Sequence, residues 1–247
     1  MKVDVLEAML SKLEKSGELA KVKMFYTVDY FQNPTGLSLS AARREKLVAL
    51  AKRYSKHHRI VIVEDAAYRE LRYDGPDLPS VKKFDPTNEY VVFTSTFSKP
   101  LSPGMKTGYA ILPADLVDPI VNLKSSHDFG SSNLNQVVID RLIATGVYRK
   151  HIEQLRKVYR SKRDAMLSAI AKEFADWPEV KWTKAAGGMY SWITFPRHID
   201  TGPDGPLIER GVKEGVLYIP GQYCHVPDEA GSIAKRSEER RVGKECA

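Results

Sequence analysis

Near the start of the chain, apolar side chains recur at steps of three and four residues, and a glycine, Gly17, follows them. These apolar positions are Val5, Leu6, Met9, Leu10 and Leu13. Because an α-helix brings residues three and four apart onto one face, the spacing predicts an amphipathic helix that opens the chain. The segment 33–36, Asn-Pro-Thr-Gly, is typical of a turn.

Beyond this helix the apolar pattern alternates between the period of a strand and the period of a helix. A second helical run begins after Ser40 and extends to about Tyr54. Strand-like runs occupy 21–29, 60–65, 90–93 and 108–112, and helical runs follow at 114–125, 133–145 and 147–174. Because helices alternate with strands, the pattern predicts crossover connections and an α/β layer with a mostly parallel sheet.

A second pattern follows the long helical run. Strand-like runs at 180–182, 189–195 and 216–219 flank a helical run near 205–214. This mixture predicts a smaller α+β unit at the C-terminal end of the chain. We therefore expect one domain over 1–164, including the start of the long helix, and part of a second domain over 165–235.

Composition narrows the function classes. The chain has 247 residues, of which 43% are hydrophobic, so a buried core is expected. No window approaches the roughly 18 consecutive apolar residues of a membrane helix, and the first residues show no secretion signal. We expect a cytoplasmic protein, with a mitochondrial location left open. The two cysteines, Cys224 and Cys246, lie in no metal-ligand pattern, so no metal site is predicted.

The formal net charge of +7 raises the question of nucleic-acid binding. Much of the basic excess falls between Arg149 and Arg163, where it alternates with apolar residues at helical spacing. That pattern is typical of the solvated face of a helix. No nucleic-acid-binding motif accompanies it, so we expect no nucleic-acid partner and no membrane partner.

Two charged residues follow predicted strands. Asp65 ends the strand at 60–65, and Lys99 lies in the polar run after the strand at 90–93. In α/β sheets, ligand-binding groups collect at such strand ends. A lysine there is a candidate for imine formation with a carbonyl group, although most lysines of a basic chain lie at the surface without chemistry.

Five strings decide between these two interpretations. They are FQNPTG (31–36), VEDAAYRELRYDG (63–75), STFSKPLSPGMKTGY (95–109), AGGMYSWITFP (186–196) and LYIPGQYC (217–224). In this order they resemble the class I/II aminotransferases among the fold-type I enzymes that depend on pyridoxal 5'-phosphate. The subgroup they are most similar to handles aromatic, kynurenine or 2-aminoadipate substrates. The resemblance covers the chain from about residue 4 to Lys235.

The resemblance implies a role for each matching residue. Lys99 matches the lysine that binds the cofactor covalently and later moves the Cα proton. Asp65 matches the carboxylate beside the pyridine nitrogen, and Tyr68 matches the phenol at the ring oxygen. These three are the expected catalytic residues.

Four further positions match residues that bind the cofactor. Asn33 matches the amide that shares the ring oxygen with Tyr68, and Thr96 matches a hydroxyl that binds the phosphate. Ser98 is a second phosphate hydroxyl, although a plain loop hydroxyl explains it almost as well. Lys106 stands where the family usually has an arginine. It supplies the same charge without the planar fork, so we expect weaker retention of the phosphate.

The implied fold is the fold-type I transferase fold, in which 1–164 belongs to the cofactor-binding large domain and 165–235 to the small domain. The implied reaction moves an α-amino group from an amino acid to a 2-oxo acid, in a homodimer. A carbon–sulfur lyase, an enzyme similar to aminocyclopropane-carboxylate synthase and a non-catalytic regulatory domain share these residues or this fold and stay open.

The two ends of the chain depart from the family. The family's glycine-rich phosphate segment and its arginine for the substrate carboxylate find no match, so we expect the 247 residues alone to have little activity. Residues 236–247 instead resemble the translation of a sequencing-library adapter, and we predict that they are a non-native tail. A genomic exon that continues through residue 236 into this tail would refute that hypothesis.

Overall fold

The computed structural model describes residues 1–225 and 240–242. Chain contacts divide these residues into two units. The N-terminal unit comprises Met1–Tyr30, Ser38–Glu70 and Gly75–Leu155, and the C-terminal unit comprises Phe31–Leu37, Leu71–Asp74 and the described residues from Arg156 onward. The division falls at Leu155, within the long helix and earlier than the expected boundary at 164. The assignment of 1–164 and 165–235 to two domains stays a prediction.

A four-stranded sheet forms the centre of the N-terminal unit. Strands β1 (Met24–Val28), β2 (Val61–Asp65) and β3 (Val91–Thr96) are parallel, and β4 (Gly108–Ile111) is antiparallel to β3 at the edge. The strands follow one another in the order β1-β2-β3-β4. Helix α2 (Ala41–Tyr54) connects β1 to β2, as a crossover between parallel strands requires. The predicted α/β layer with a mostly parallel sheet is confirmed.

One face of this sheet is buried against a helical layer. Helix α1 (Val3–Lys15) and α2 contribute to a core that includes Leu10, Leu47 and Ile62, and each of these side chains is at most 1% exposed. Burying a leucine or isoleucine side chain stabilises the fold by about 1.5–3 kcal/mol. Burial alternates along β1 and β2, so Glu64 faces the core while Asp65 lies on the other, more open face.

Three more helices follow β4 in the chain. They are α3 (Ala114–Asp128), α4 (Asn133–Ala144) and α5 (Val147–Glu173). Their positions agree with the helical runs expected at 114–125, 133–145 and 147–174. No helix among residues 1–225 is long and apolar enough to span a membrane.

The C-terminal unit contains a second sheet, and its described strands are all antiparallel. The strands β5 (Lys181–Trp182), β6 (Ser191–Thr194), β7 (Tyr218–Ile219) and β8 (Arg240–Val242) lie in the order β5-β6-β8-β7. Helix α6 (Pro206–Lys213) precedes β7, and the predicted α+β mixture is confirmed. Strand β8 falls inside the predicted tail, where the sequence pattern indicated no strand. The rest of 236–247 lies outside the described residues.

Two short segments from early in the chain belong to this C-terminal unit. The segment 71–74 lies beside the glycine pair at 187–188, because the amide of Gly188 donates to the carbonyl of Leu71 at 2.7 Å. The amide of Tyr73 donates to the carbonyl of Ala186 at 2.9 Å. Long-range pairings of this kind leave no periodic signal in the sequence, so the local pattern could not predict them.

Candidate functional site

The carboxylate of Asp65 is held on both oxygens. Asp65 is the last residue of β2, and its Oδ1 accepts a hydrogen bond from the amide of Ala67 at 3.1 Å. Its Oδ2 accepts a hydrogen bond from the hydroxyl of Tyr26 at 2.6 Å. Partial burial, this hydrogen bond and the charge of Asp65 raise the pKa of Tyr26 to about 12. The phenol therefore stays protonated, and stays a donor, throughout the neutral range.

Tyr26 does not stand out in the sequence pattern. In the fold β1 pairs with β2 in parallel, and Tyr26 lies opposite Val63. Asp65 is two residues beyond Val63, so it projects from the same face of the sheet as Tyr26. The register that makes this visible comes from the tertiary structure and not from the alternation within either strand.

Lys99 lies just after the neighbouring strand. Asp65 pairs in register with Thr94 of β3, and that strand ends at Thr96. The chain then turns, and the amides of Leu101 and Ser102 donate to the carbonyl of Phe97. Lys99 is half-buried within this turn. The strand ends that carry Asp65 and Lys99 are therefore adjacent, as the sequence predicts.

Tyr68 belongs to the same edge of the sheet. Its side chain is buried, with 6% exposed, and the Nζ of Lys99 lies 5.9 Å from the centre of its ring. An amine at that distance lies over an aromatic face in the range of a cation–π contact. The structure thus brings Tyr68 and Lys99 together.

The hydroxyls of Thr96 and Ser98 lie side by side. The Oγ1 of Thr96 is 3.1 Å from the Oγ of Ser98 and accepts a hydrogen bond from the amide of Ser98 at 3.1 Å. It also lies 3.3 Å from the carbonyl of Thr107. Thr96 therefore stabilises the turn, and the phosphate-binding roles expected of Thr96 and Ser98 stay predictions.

Lys106 lies in the loop that leads into β4. It is exposed, and its φ of 48° is in the left-handed region, which is uncommon for a residue other than glycine. The amide of Phe97 donates to the carbonyl of Thr107 at 3.0 Å, which joins this loop to the end of β3. At Gly108 a Cβ atom would lie 2.7 Å from the carbonyl of Ser95, so only glycine permits this close pairing. The residue after Lys106, Thr107, therefore contacts the turn through its backbone carbonyl.

Asn33 lies in the C-terminal unit, in the segment 31–37. It is exposed, and the peptide bond between Asn33 and Pro34 is cis. The amide of Gly36 donates to the carbonyl of Gln32 at 2.6 Å, so the predicted turn is confirmed. The expected place of Asn33 beside the phenol of Tyr68 stays a prediction.

A separate cavity lies within the C-terminal unit. Its volume is about 510 Å³, and tyrosine, methionine, glycine and aliphatic side chains form most of its walls. Arg163 contributes a charge to it, but that charge is paired with Asp74 at 2.6 Å and with Asp164 at 2.6 Å. Lys162 also lines the cavity, so its wall carries a second cationic side chain. Among the described residues no cluster of histidine, cysteine or acidic side chains could hold a metal ion.

Fold and site together define the class of protein. A mostly parallel sheet carries an acid and a lysine at neighbouring strand ends, which is the architecture of the fold-type I transferases. The family model described as aminotransferase class I and II matches residues 1–236. The chain belongs to this family, and the predicted family and fold class are confirmed.

Similar proteins include enzymes and a regulator. The aromatic-amino-acid aminotransferase 1 of Thermococcus litoralis is 38% identical over 222 residues, which are 90% of this chain and 50% of the relative. The crystal structure of the kynurenine aminotransferase of Pyrococcus horikoshii is 38% identical, with a TM-score of 0.84 over 98% of this chain and 56% of that one. The transcriptional regulator NorG of Staphylococcus aureus is 32% identical over 201 residues, which are 81% of this chain and 43% of the regulator. The chain spans about half the length of the curated relatives it matches.

Proposed function

We propose that the protein is an aminotransferase that depends on pyridoxal 5'-phosphate. It moves an α-amino group from an amino acid to a 2-oxo acid. The observation that carries the proposal is the placement of Asp65 and Lys99 at the ends of adjacent parallel strands, with Tyr68 beside the lysine. Membership of the aminotransferase family supports it.

The side chains at this edge fit the chemistry of that cofactor. Asp65, held by two hydrogen-bond donors, is suited to pair with a protonated ring nitrogen. The hydroxyls of Thr96 and Ser98 and the ammonium of Lys106 are groups that bind phosphate. Lys99 is the amine that would bind the cofactor's carbonyl carbon.

Each of these residues has a defined task in the reaction. When bound, pyridoxal phosphate withdraws the negative charge that develops on the substrate's Cα. Lys99 would accept the proton from the substrate's Cα and donate it again later in the amino-group transfer, first as a general base and then as a general acid. Tyr68 and Asn33 are assigned to the ring oxygen, which they would hold by hydrogen bonds when the cofactor is bound. Thr96, Ser98 and Lys106 would hold the phosphate of the bound cofactor.

The choice of substrate follows the relatives. Two of them are named for aromatic amino acids and for kynurenine, so an aromatic donor is the first candidate, and 2-aminoadipate is the second. We assign an amino acid and a 2-oxo acid as partners, with a homodimer as the working assembly and with no nucleic-acid or membrane partner. The cytoplasmic location stays a prediction.

The likeness to NorG favours a second candidate function, a regulatory domain that lacks transaminase activity. Such a domain is expected to give no amino-group transfer in the assay below. Carbon–sulfur lyases and enzymes similar to aminocyclopropane-carboxylate synthase share the cofactor-binding residues. Product analysis separates these from an aminotransferase, because only a transaminase converts the donor to its 2-oxo acid in step with amination of the acceptor.

The test is to trap the bound cofactor on the whole protein with borohydride and to map the labelled peptide. We expect the label on Lys99, and we expect Lys99→Ala to lose it together with about 10²–10⁴-fold of the transamination rate, as removal of a general base does. Lys83→Ala is the control, because Lys83 is an exposed lysine of the same unit. A label on another lysine, or an equal loss in both variants, would refute the proposal.

A further inference from the structure

We propose that Tyr26 is a positioning residue of this site, whose hydroxyl fixes the Asp65 carboxylate in the orientation that faces the ring nitrogen of the cofactor. The inference deepens the proposed function and rests on it. Tyr26 lies outside the five strings that resemble the aminotransferases, and its hydroxyl donates to Asp65.

The register of the sheet places the two groups together. Tyr26 lies opposite Val63, and Asp65 is the next residue of β2 on the same face. Tyr26 and Asp65 are thus diagonal neighbours on adjacent strands, two residues out of register. Only a long side chain reaches a diagonal neighbour, and tyrosine is long enough. A shorter side chain at position 26 could not reach the carboxylate.

Two donors from different directions fix the carboxylate plane. The amide of Ala67, in the chain that follows β2, donates to Oδ1. The hydroxyl of Tyr26, on the neighbouring strand β1, donates to Oδ2. A carboxylate rotates easily about its last side-chain bond, because that torsion has a broad minimum. With only the Ala67 amide the group would keep much of this freedom, and the Tyr26 hydroxyl removes it.

The Tyr26–Asp65 contact has the features of a strong hydrogen bond. At 2.6 Å it falls in the range of a hydroxyl that donates to an ionised oxygen. The pKa of Tyr26, raised to about 12, keeps the proton on the phenol over the whole working pH range of an enzyme. The Tyr26 hydroxyl therefore stays a hydrogen-bond donor at every working pH. Tyr26 acts through Asp65 and transfers no proton to the substrate.

Core packing is a weak alternative explanation for Tyr26. Its side chain is 57% exposed, whereas its neighbours Phe25 and Thr27 on the opposite face are buried. Tyr26→Phe keeps the ring and removes only the hydroxyl. The substitution therefore tests the hydrogen bond and leaves the packing in place.

The first experiment is a double-mutant cycle on the affinity of the whole protein for pyridoxal phosphate, measured by equilibrium dialysis. We expect Tyr26→Phe to weaken binding about tenfold, the loss typical of a hydrogen bond to a charged group. In the Asp65→Asn background the same change is expected to cost less than about twofold, since Tyr26 acts through the carboxylate. Tyr109→Phe removes a hydroxyl from the same sheet and is the control, with unchanged affinity expected.

The second experiment needs no cofactor. Tyrosine labelled with ¹³C at Cζ is titrated by NMR, and the Tyr26 signal is assigned by its loss in Tyr26→Phe. We expect Asp65→Asn to lower the pKa of Tyr26 from about 12 toward the ordinary value near 10, because the charge is gone and an amide oxygen is a weaker acceptor, while the effect of burial stays. The titration of Tyr109 is expected to stay the same.

The outcomes separate this inference from the proposed function. The positioning role would be overturned if Tyr26→Phe caused equal losses of affinity in both backgrounds, or no loss in either. It would also be overturned if Asp65→Asn left the pKa of Tyr26 unchanged. Failure of the borohydride label at Lys99 would overturn the proposed function instead. The NMR titration would still report the contact between Tyr26 and Asp65 in that case.

Discussion

Replacing Asp29 with asparagine is expected to stabilise the protein relative to its parent as the pH rises from 6 to 9. Asp29 follows β1 and is fully buried, with the guanidinium of Arg44 and the carboxyl of Glu64 as its charged neighbours. All three side chains are inaccessible to solvent. One cation therefore stands between two acids, and one of the acids must keep its proton if the cluster is to be neutral.

Hydrogen bonds identify the acid that keeps the proton. Glu64 accepts from the hydroxyl of Ser80 at 2.5 Å and from the amides of Val81 and Lys82 at 2.9 and 3.1 Å. Within the described residues, neither carboxyl oxygen of Asp29 accepts a hydrogen bond, although Oδ2 is ion-paired with Arg44. Burial first, and then the charge of Glu64, raise the pKa of Asp29 to about 8 against the opposing effect of Arg44.

The sign of the effect follows from proton counting. Between the unfolded value of 3.8 and about 8, folded Asp29 holds a proton that the unfolded chain has released. The folded state therefore binds more protons, and the free energy of unfolding falls as the pH rises through this window. One proton corresponds to at most about 1.4 kcal/mol per pH unit, so from pH 6 to pH 8 the loss is about 2 kcal/mol. Asparagine cannot ionise and removes this loss.

The assay is urea unfolding at pH 6, 7, 8 and 9. At pH 6 the free energy of unfolding of the variant is expected to lie within about 1 kcal/mol of the parent value, because the amide makes different hydrogen bonds. The diagnostic quantity is the free energy of unfolding of the variant minus that of the parent. From pH 6 to pH 8 and above, this difference is expected to rise by about 2 kcal/mol in favour of the variant. Asp115→Asn, a substitution at the surface, is the control and is expected to show no such change. Parallel pH profiles for parent and Asp29→Asn would refute the reasoning.

Two further predictions concern Gly36 and Lys106. Gly36→Ala is expected to cost about 2–4 kcal/mol in thermal unfolding, because φ is +69° and the added Cβ would lie 2.6 Å from the carbonyl of Tyr190. The control Gly215→Ala, with φ of +72° and open space, is expected to cost about 1 kcal/mol, and equal costs would contradict the clash. Lys106→Arg is expected to bind pyridoxal phosphate at least about threefold more tightly by equilibrium dialysis, since the fork adds a second hydrogen bond. Unchanged or weaker binding of pyridoxal phosphate would contradict the expectation that an arginine at position 106 binds the phosphate better than lysine.

The sequence by itself predicted most of the helices and strands of the described residues and part of the candidate site. Helix and strand periods reflect local geometry, so the runs near α1, α2 and β2 could be predicted to within a few residues. Asp65 and Lys99 could be found for the same reason, because each follows a strand whose end is visible in the pattern. The family strings then supplied chemical roles that periodicity alone does not carry.

Only the tertiary structure decided which distant residues meet. The contact of Tyr26 with Asp65 depends on the register of β1 against β2, and the cluster around Arg44 depends on how α2 packs on the sheet. The inclusion of 71–74 in the C-terminal unit is of the same kind. Residues far apart in the chain form these pairings, and their energies come from burial and long-range hydrogen bonds. No period in a one-dimensional pattern encodes them, which is why the positioning tyrosine became visible only in the fold.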